Sequence, residues 1–231
     1  MRSELKKILL TWWVLSLVGC GSLVHHKVQK GDTLYSIGWR YGQEADQIAQ
    51  WNNLRSPYMI HQGQVLRIAP PLKHSTQTLP KAAPAQRQRA SVVLEPSADK
   101  PLPQVSVGPV VWGWPAEGKL IATFSAKNLD NKGVDISAKR GTPVRAAARG
   151  KVVYSGSGLT GYGNLLIIKH NESYLSAYAH NDTLLVKEGE AVKLGQKVAA
   201  MGDTGSDRVM LHFEIRYNGK PVNPQHYLPK R

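Results

Sequence analysis

Cysteine is all but missing from this 231-residue chain: Cys20 is the only one, so no disulfide can form within it. Acidic residues are scarce too, 16 against 30 lysines and arginines, which gives a formal charge of +14 and a pI near 9.9. That imbalance raises nucleic acid, an anionic membrane or an anionic polymer as partners. No helix-turn-helix, aromatic RNA-binding pattern or zinc finger accompanies the basic residues, which argues against nucleic acid. A run long enough to cross a membrane is lacking as well, since the apolar stretch from Ile8 to Val18 is short for a bilayer. Helical periodicity is nearly absent from the C-terminal half. What is present is an ordinary apolar share, 42%, enough to bury a core in one or two small domains.

The lone cysteine has a context. Arg2, Lys6 and Lys7 make a positive start, Ile8 to Val18 an apolar run, and Leu17-Val18-Gly19-Cys20 a cleavage box. The arrangement resembles a bacterial lipoprotein signal, and that resemblance implies removal of residues 1–19 and a lipid on Cys20, anchoring the chain without a transmembrane helix. Gly21, where an Asp would mark inner-membrane retention, implies outer-membrane attachment facing the periplasm. The alternative is a short buried helix ending in a free thiol.

After a tether at residues 20–25, the stretch 26–68 has the pattern of a small βααβ unit. Val28 suits a short strand, Gly31-Asp32 a turn, and Asp32 or Thr33 the cap of a helix whose apolar face is Leu34, Ile37 and Tyr41 and which Gly42 ends. Ala45, Ile48 and Ala49 recur at helical spacing in a second helix stopped by Asn52-Asn53, and Gln64 to Ile68 alternates as a returning strand. The run Lys27-Val28-Gln29-Lys30-Gly31-Asp32-Thr33-Leu34-Tyr35-Ser36-Ile37 resembles the opening of a LysM repeat, a peptidoglycan-binding module. The resemblance implies a shallow groove for an N-acetylglucosamine chain, with Gly31, Asp32, Thr33, Leu34, Tyr58 and Ile60 as candidate contacts. Backbone amides at the turn can bond acetamido groups, and Leu34 and Ile60 can pack on sugar faces. Equally, Tyr58 and Ile60 can close a small core. Trp39 and Trp51 read as packing residues rather than sugar platforms.

From Ala69 to Val111 the composition shifts to Pro, Ala, Gln, Ser and scattered charge, with prolines that prevent regular pairing. This predicts a disordered, semi-extended linker that lets one module hold a surface while the other searches nearby. Val92-Val93-Leu94 is an apolar run within it.

From Trp112 to Arg231, short β-type runs follow one another at 119–124, 144–146, 151–155, 165–169, 174–180, 191–192, 197–201 and 209–217, punctuated by glycines. A mostly antiparallel β-sandwich or open barrel is predicted. Gly161-Tyr162-Gly163-Asn164 is a turn rather than a phosphate loop, because no helix start follows. His170 and His226 carry no motif and read as structural.

Two stretches of this half hold chemistry, Asn131-Lys132-Gly133-Val134-Asp135 and Met210-Leu211-His212-Phe213-Glu214. If 209–215 is a strand, Met210 and His212 share a face. The wording resembles the lysostaphin-type (LytM-type) metallopeptidases, which cut peptidoglycan cross-bridges and read His-x-x-x-Asp and then His-x-His-Phe-Glu. The resemblance implies a duplicated hybrid-motif fold and assigns ligand roles to Asp135 and His212, but Asn131 stands in place of the first ligand and Met210 in place of the proton-handling His. A mononuclear zinc hydrolase needs three protein ligands and an open position. A neutral amide is a poor zinc ligand, and a thioether neither holds nor moves a proton. Tyr178-Ala179-His180 matches the family's Tyr-x-His, which lines the groove, while Ser206-Asp207-Arg208-Val209 is bulkier and more charged than the small loop of active members. Gly133 is read as permitting the bend between residues 131 and 135.

The whole pattern resembles the NlpD-type activators of cell-wall amidases. That resemblance implies a noncatalytic lipoprotein with no cofactor, partnered by peptidoglycan, by an N-acetylmuramoyl-L-alanine amidase bound at Asn131, Asp135, His180, Met210 and His212, and by the membrane through Cys20, for daughter-cell separation. Two alternatives stand beside it: an active zinc endopeptidase using Asp135, His212 and His180, and a purely structural wall tether.

Overall fold

The computed structural model describes residues 25–71, 109–127 and 131–231. Cys20, the signal at 1–19 and most of the linker, with its Val92-Val93-Leu94 run, lie outside the described residues. Within them no helix is long and apolar enough to cross a membrane.

The N-terminal module is the βααβ unit. β1 (His25–Lys27) pairs antiparallel with β2 (Val65–Arg67), and α1 (Leu34–Tyr41) and α2 (Ala45–Trp51) lie between them in sequence. The first strand stops one residue short of Val28, whose N–H still continues the ladder by donating to Gln64 O at 2.8 Å. Thr33, not Asp32, caps α1: its hydroxyl accepts from Ser36 N while Ser36 Oγ accepts from Thr33 N, both at 3.0 Å. Asp32 instead accepts from Gln29 N at 2.9 Å and lies 2.8 Å from His26 Nε2, tying the turn back to β1. Gly42, at φ 66°, supplies the left-handed residue that ends α1. Leu34, Ile37, Ile48 and Leu66 form the buried centre.

The C-terminal module is antiparallel throughout. Its strands are β3 (Lys119–Ala122), β4 (Val134–Ser137), β5 (Pro143–Arg145), β6 (Gly150–Gly156), β7 (Asn164–Lys169), β8 (Tyr174–Leu184), β9 (Ala191–Val192), β10 (Lys197–Met201), β11 (Leu211–Tyr217) and β12 (Lys220–Val222). They run in the order β3-β4-β11-β8-β7-β6-β9, with β10 joining β8 to β5 and β12 paired to β11. Two of them, β4 and β12, are absent from the sequence reading. The first is a four-residue strand hidden inside the Asn131–Asp135 motif. The second carries Pro221, which weakens any strand signal, but Asn218-Gly219 with φ of 48° and 73° turns β11 into it as a two-residue hairpin.

Strand alternation sorts the side chains onto two faces. Leu166, Ile168, Tyr178, Leu211, Phe213 and Ile215 point into the main core, closed by Val198 and Met201 of β10. Leu165, Ile167, Ala177 and Ala179 point the other way. That second face is covered by the N-terminal module: Trp39 of α1, 3% exposed, packs there with Tyr154 and Leu159. Burying a Trp side chain removes roughly 150–250 Å² from water, about 4–6 kcal/mol before ordering costs. Polar contacts flank it. Thr33 Oγ1 donates to Val153 O at 3.2 Å, Arg40 donates to Gly158 O at 3.2 Å, and Lys169 Nζ lies 3.8 Å from Asp46. The two modules, expected to range independently on a tether, therefore meet along a seam of buried side chains.

Candidate functional site

β11 positions the site. Leu211, Phe213 and Ile215 go to the core, so His212, Glu214 and Arg216 form a row on the face where Trp39 sits. Pairing with β4 sets His212 opposite Asp135, and pairing with β8 sets it opposite Ala179, next to His180. Gly133 makes the β4 approach possible, because a Cβ there would fall 2.1 Å from Phe213 O. The glycine lies in the bend before β4, as the sequence reading expects, and is required there for room beside β11.

Bonds run from residue to residue along this row. His212 Nδ1 donates to Asp135 Oδ1 at 2.6 Å and Nε2 to Glu214 Oε1 at 3.2 Å. The other Asp135 oxygen accepts from Asn131 Nδ2 at 3.0 Å, and Asn131 Oδ1 accepts from Gly133 N at 2.9 Å. Glu214, fully buried, also accepts from Tyr162 OH at 2.8 Å and from Arg216 Nε at 3.1 Å. Arg216 then donates to Trp39 O at 2.7 Å and lies 3.5 Å over the Trp39 ring.

The electrostatics follow. Burial works against a charge on His212, but the bonds to Asp135 and Glu214 and the charges of both outweigh it and raise its pKa to about 9, so both ring nitrogens carry protons. Burial also opposes a charge on Glu214, but the bond and charge of His212, the charge of Arg216 and the bond from Tyr162 hold it below the usual carboxylate range. The pKa of His180, in contrast to that of His212, is lowered, mainly by burial and also by the neighbouring His212 charge. Its Nδ1 donates to Thr204 O at 2.9 Å, and its ring centre is 6.2 Å from that of His212. The backbone of His180 has φ 62°, uncommon for a residue with a Cβ and a sign that the surrounding strands dictate its placement. Met210, half-buried, bridges Gly202 through its N–H at 2.9 Å and precedes His212 by two residues on the same face.

These residues do not fit a zinc centre with three protein ligands. Asp135 and His212 are engaged with each other, and the third position is the Asn131 amide, itself bonded to Asp135 and Gly133. Among the described residues no three His, Cys, Asp or Glu side chains converge to hold a metal ion.

In the N-terminal module, Asp32, Thr33, Leu34, Tyr58 and Ile60 border one cavity, and Gly31 borders a neighbouring one that shares Asp32 and Thr33. Leu34, expected to pack on a sugar face, is instead 2% exposed and buries its side chain in the core. Met59, 66% exposed in the same cavity, is the free apolar side chain there. Tyr58 OH donates to Asp46 Oδ1 at 2.6 Å, and Tyr58 and Ile60 pack partly against the core as well as bordering the cavity.

Residues 130–224 match the model of peptidase family M23, and residues 26–69 match that of the LysM domain. The lipoprotein NlpD/LppB homolog of Pseudomonas aeruginosa is 45% identical over 235 residues, spanning 88% of this chain and 76% of its own length. This chain belongs to the NlpD/LppB lipoprotein family. The murein hydrolase activator NlpD of Escherichia coli K12 is 42% identical over 257 residues, spanning 89% of this chain and 68% of its own. Lipoprotein YgeR of the same strain is 46% identical over 205 residues, spanning 88% and 80%. The sequence reading named Asn131, Asp135, His180 and His212, which the strand register brings together, and took Trp39 as a packing residue, but it missed what His212 leans on: Glu214, Arg216 and Tyr162. The alternation of His212, Glu214 and Arg216 was the available signal.

Proposed function

We propose that this chain is a noncatalytic envelope lipoprotein that binds peptidoglycan through its N-terminal module and switches on a partner N-acetylmuramoyl-L-alanine amidase through the groove of its C-terminal module. The LysM match and the relatives named as murein hydrolase activators support the peptidoglycan part. Lipid attachment at Cys20, facing the periplasm from the outer membrane, belongs to the same reading.

The observation that carries the noncatalytic part is the self-contained donor set. Both Asp135 oxygens and both His212 nitrogens bond to protein neighbours, and Asn131 offers only an amide. Met210 places a thioether where a proton carrier would be needed, and a thioether exchanges no proton at any accessible pH. Such a groove acts by selection. Asn131, Asp135, His180, Met210 and His212 bind the amidase conformation whose blocking segment is displaced, and the effect is bounded by their preference for that conformation. Met210 gives that contact an adaptable apolar surface.

Purified protein is expected to hold no stoichiometric zinc, to leave purified peptidoglycan uncut, and to stimulate amidase digestion of it. Asn131→His should raise zinc affinity by supplying a third ligand, and only with Met210→His added should trace cleavage emerge. Stoichiometric zinc with cleavage, both abolished by Asp135→Ala, would replace this reading with a zinc endopeptidase. Peptidoglycan binding with no amidase captured or stimulated would reduce it to a tether.

A further inference from the structure

Two cavities of about 530 and 670 Å³ open along the seam between the modules. Both have Asp32, Thr33 and Glu188 in their walls, so they lie side by side along the seam. Each lies within the roughly 300–1,000 Å³ range of small-ligand sites, and in line they suit an extended chain better than a compact molecule.

The N-terminal loops make one wall, with Met59 projecting from it. The C-terminal module makes the other, with Lys151 and Val153 in the first cavity and Lys187 in the second. The bond from Thr33 Oγ1 to Val153 O, at 3.2 Å, holds the walls together without closing the space between them.

The charges in this groove are unevenly matched. Lys169 pairs with Glu172 at 2.9 Å, and Asp32 lies 3.7 Å from the Arg40 guanidinium and 2.8 Å from His26 Nε2. Among the described residues no ion pair engages Lys30, Lys151 or Lys187. Lys30, Lys151 and Lys187 are therefore unpaired lysines of the two walls, and Glu188 is the carboxylate there that likewise enters no ion pair. A neutral sugar chain has no use for them, and a chain with carboxylate branches does.

We infer that the seam is a single binding site for an N-acetylated glycan strand bearing carboxylates, in which Lys151 and Lys187 of the C-terminal module receive the acidic branches while the N-terminal loops hold the sugars. This rests on the peptidoglycan reading above and adds residues from the other module to it. A glycan in the seam touches both modules, so its binding also favours their docked arrangement.

The test uses the full chain, with chitohexaose as the neutral probe and soluble peptide-bearing peptidoglycan strands as the acidic one, both titrated calorimetrically. Lys151→Gln with Lys187→Gln should weaken acidic strands about tenfold, from two exposed charge contacts worth roughly threefold each, and change chitohexaose by less than about twofold. Unchanged binding of the acidic strands, or an equal loss for both probes, would overturn the assignment. Failure of the unsubstituted chain to bind either probe would instead overturn the peptidoglycan reading beneath it.

Discussion

Arg216→Ala is the substitution with the largest consequence that the seam geometry allows. Arg216, 3% exposed, does three things at once: it is the cation beside fully buried Glu214, it donates to the Trp39 carbonyl at 2.7 Å, and it stacks 3.5 Å over the Trp39 ring. Removing one member of a buried ion pair costs about 3–5 kcal/mol because the other charge is left uncompensated. Protonated His212 still touches Glu214 at 3.2 Å, which pulls the loss toward the lower end. The desolvated stack on Trp39, worth about 2 kcal/mol, pushes it back up. A net loss of about 3–4 kcal/mol is expected, a depression of Tm by roughly 6–16 °C for a chain of this size. Urea and thermal unfolding measure it, and amide hydrogen exchange should report faster opening of α1, since the clamp on Trp39 has gone. The charge argument has its own check: Glu214→Gln with Arg216→Met should be more stable than Arg216→Met alone, because no buried carboxylate is left unpaired. A single variant within about 0.5 kcal/mol of the parent, or a double variant no better than the single, would refute the reasoning.

The other tests concern burial and backbone room. His170 is buried, donates from Nδ1 to Arg149 O at 2.8 Å and lies 2.7 Å from Ser176 Oγ, and burial lowers its pKa from 6.5 to about 4. Between those values the unfolded chain binds the extra proton, so this contribution is fully present above pH 6.5 and is lost as pH falls toward 4, by about 3 kcal/mol in all; urea midpoints measured across that window should fall accordingly, and a flat profile would contradict it. Gly133→Ala should cost about 2 kcal/mol or more and loosen β4 from β11, because its Cβ would lie 2.1 Å from Phe213 O, and a near-neutral unfolding midpoint would show that the strand can yield.

How far the sequence could be read depended on whether a residue's partner was local. The turn at Gly31, the stop at Gly42 and the spacing of Ala45, Ile48 and Ala49 act within a few residues, and the N-terminal module follows from them. The candidate site residues were legible because three short motifs name them, although the distances between them come only from the β4, β11 and β8 register. The seam was not legible, because each half of its signal was ambiguous alone. Leu165-Leu166-Ile167-Ile168 is apolar at consecutive positions, which marks a strand buried on both faces and therefore a cover of some kind. On β11 the opposite impression arises: polar residues at 212, 214 and 216 look like the wet side of a half-buried strand. Trp39 sits off the stripe of Leu34, Ile37 and Tyr41, so a large aromatic pointed away from its own module's core. Each was a residue lacking a partner, and folding resolves all three together. The ring of Trp39 meets the apolar strand, and its π-face meets the guanidinium that Glu214 requires. A polar row on a strand can therefore be buried wherever its charges are mutually paired and a π-face closes the last of them.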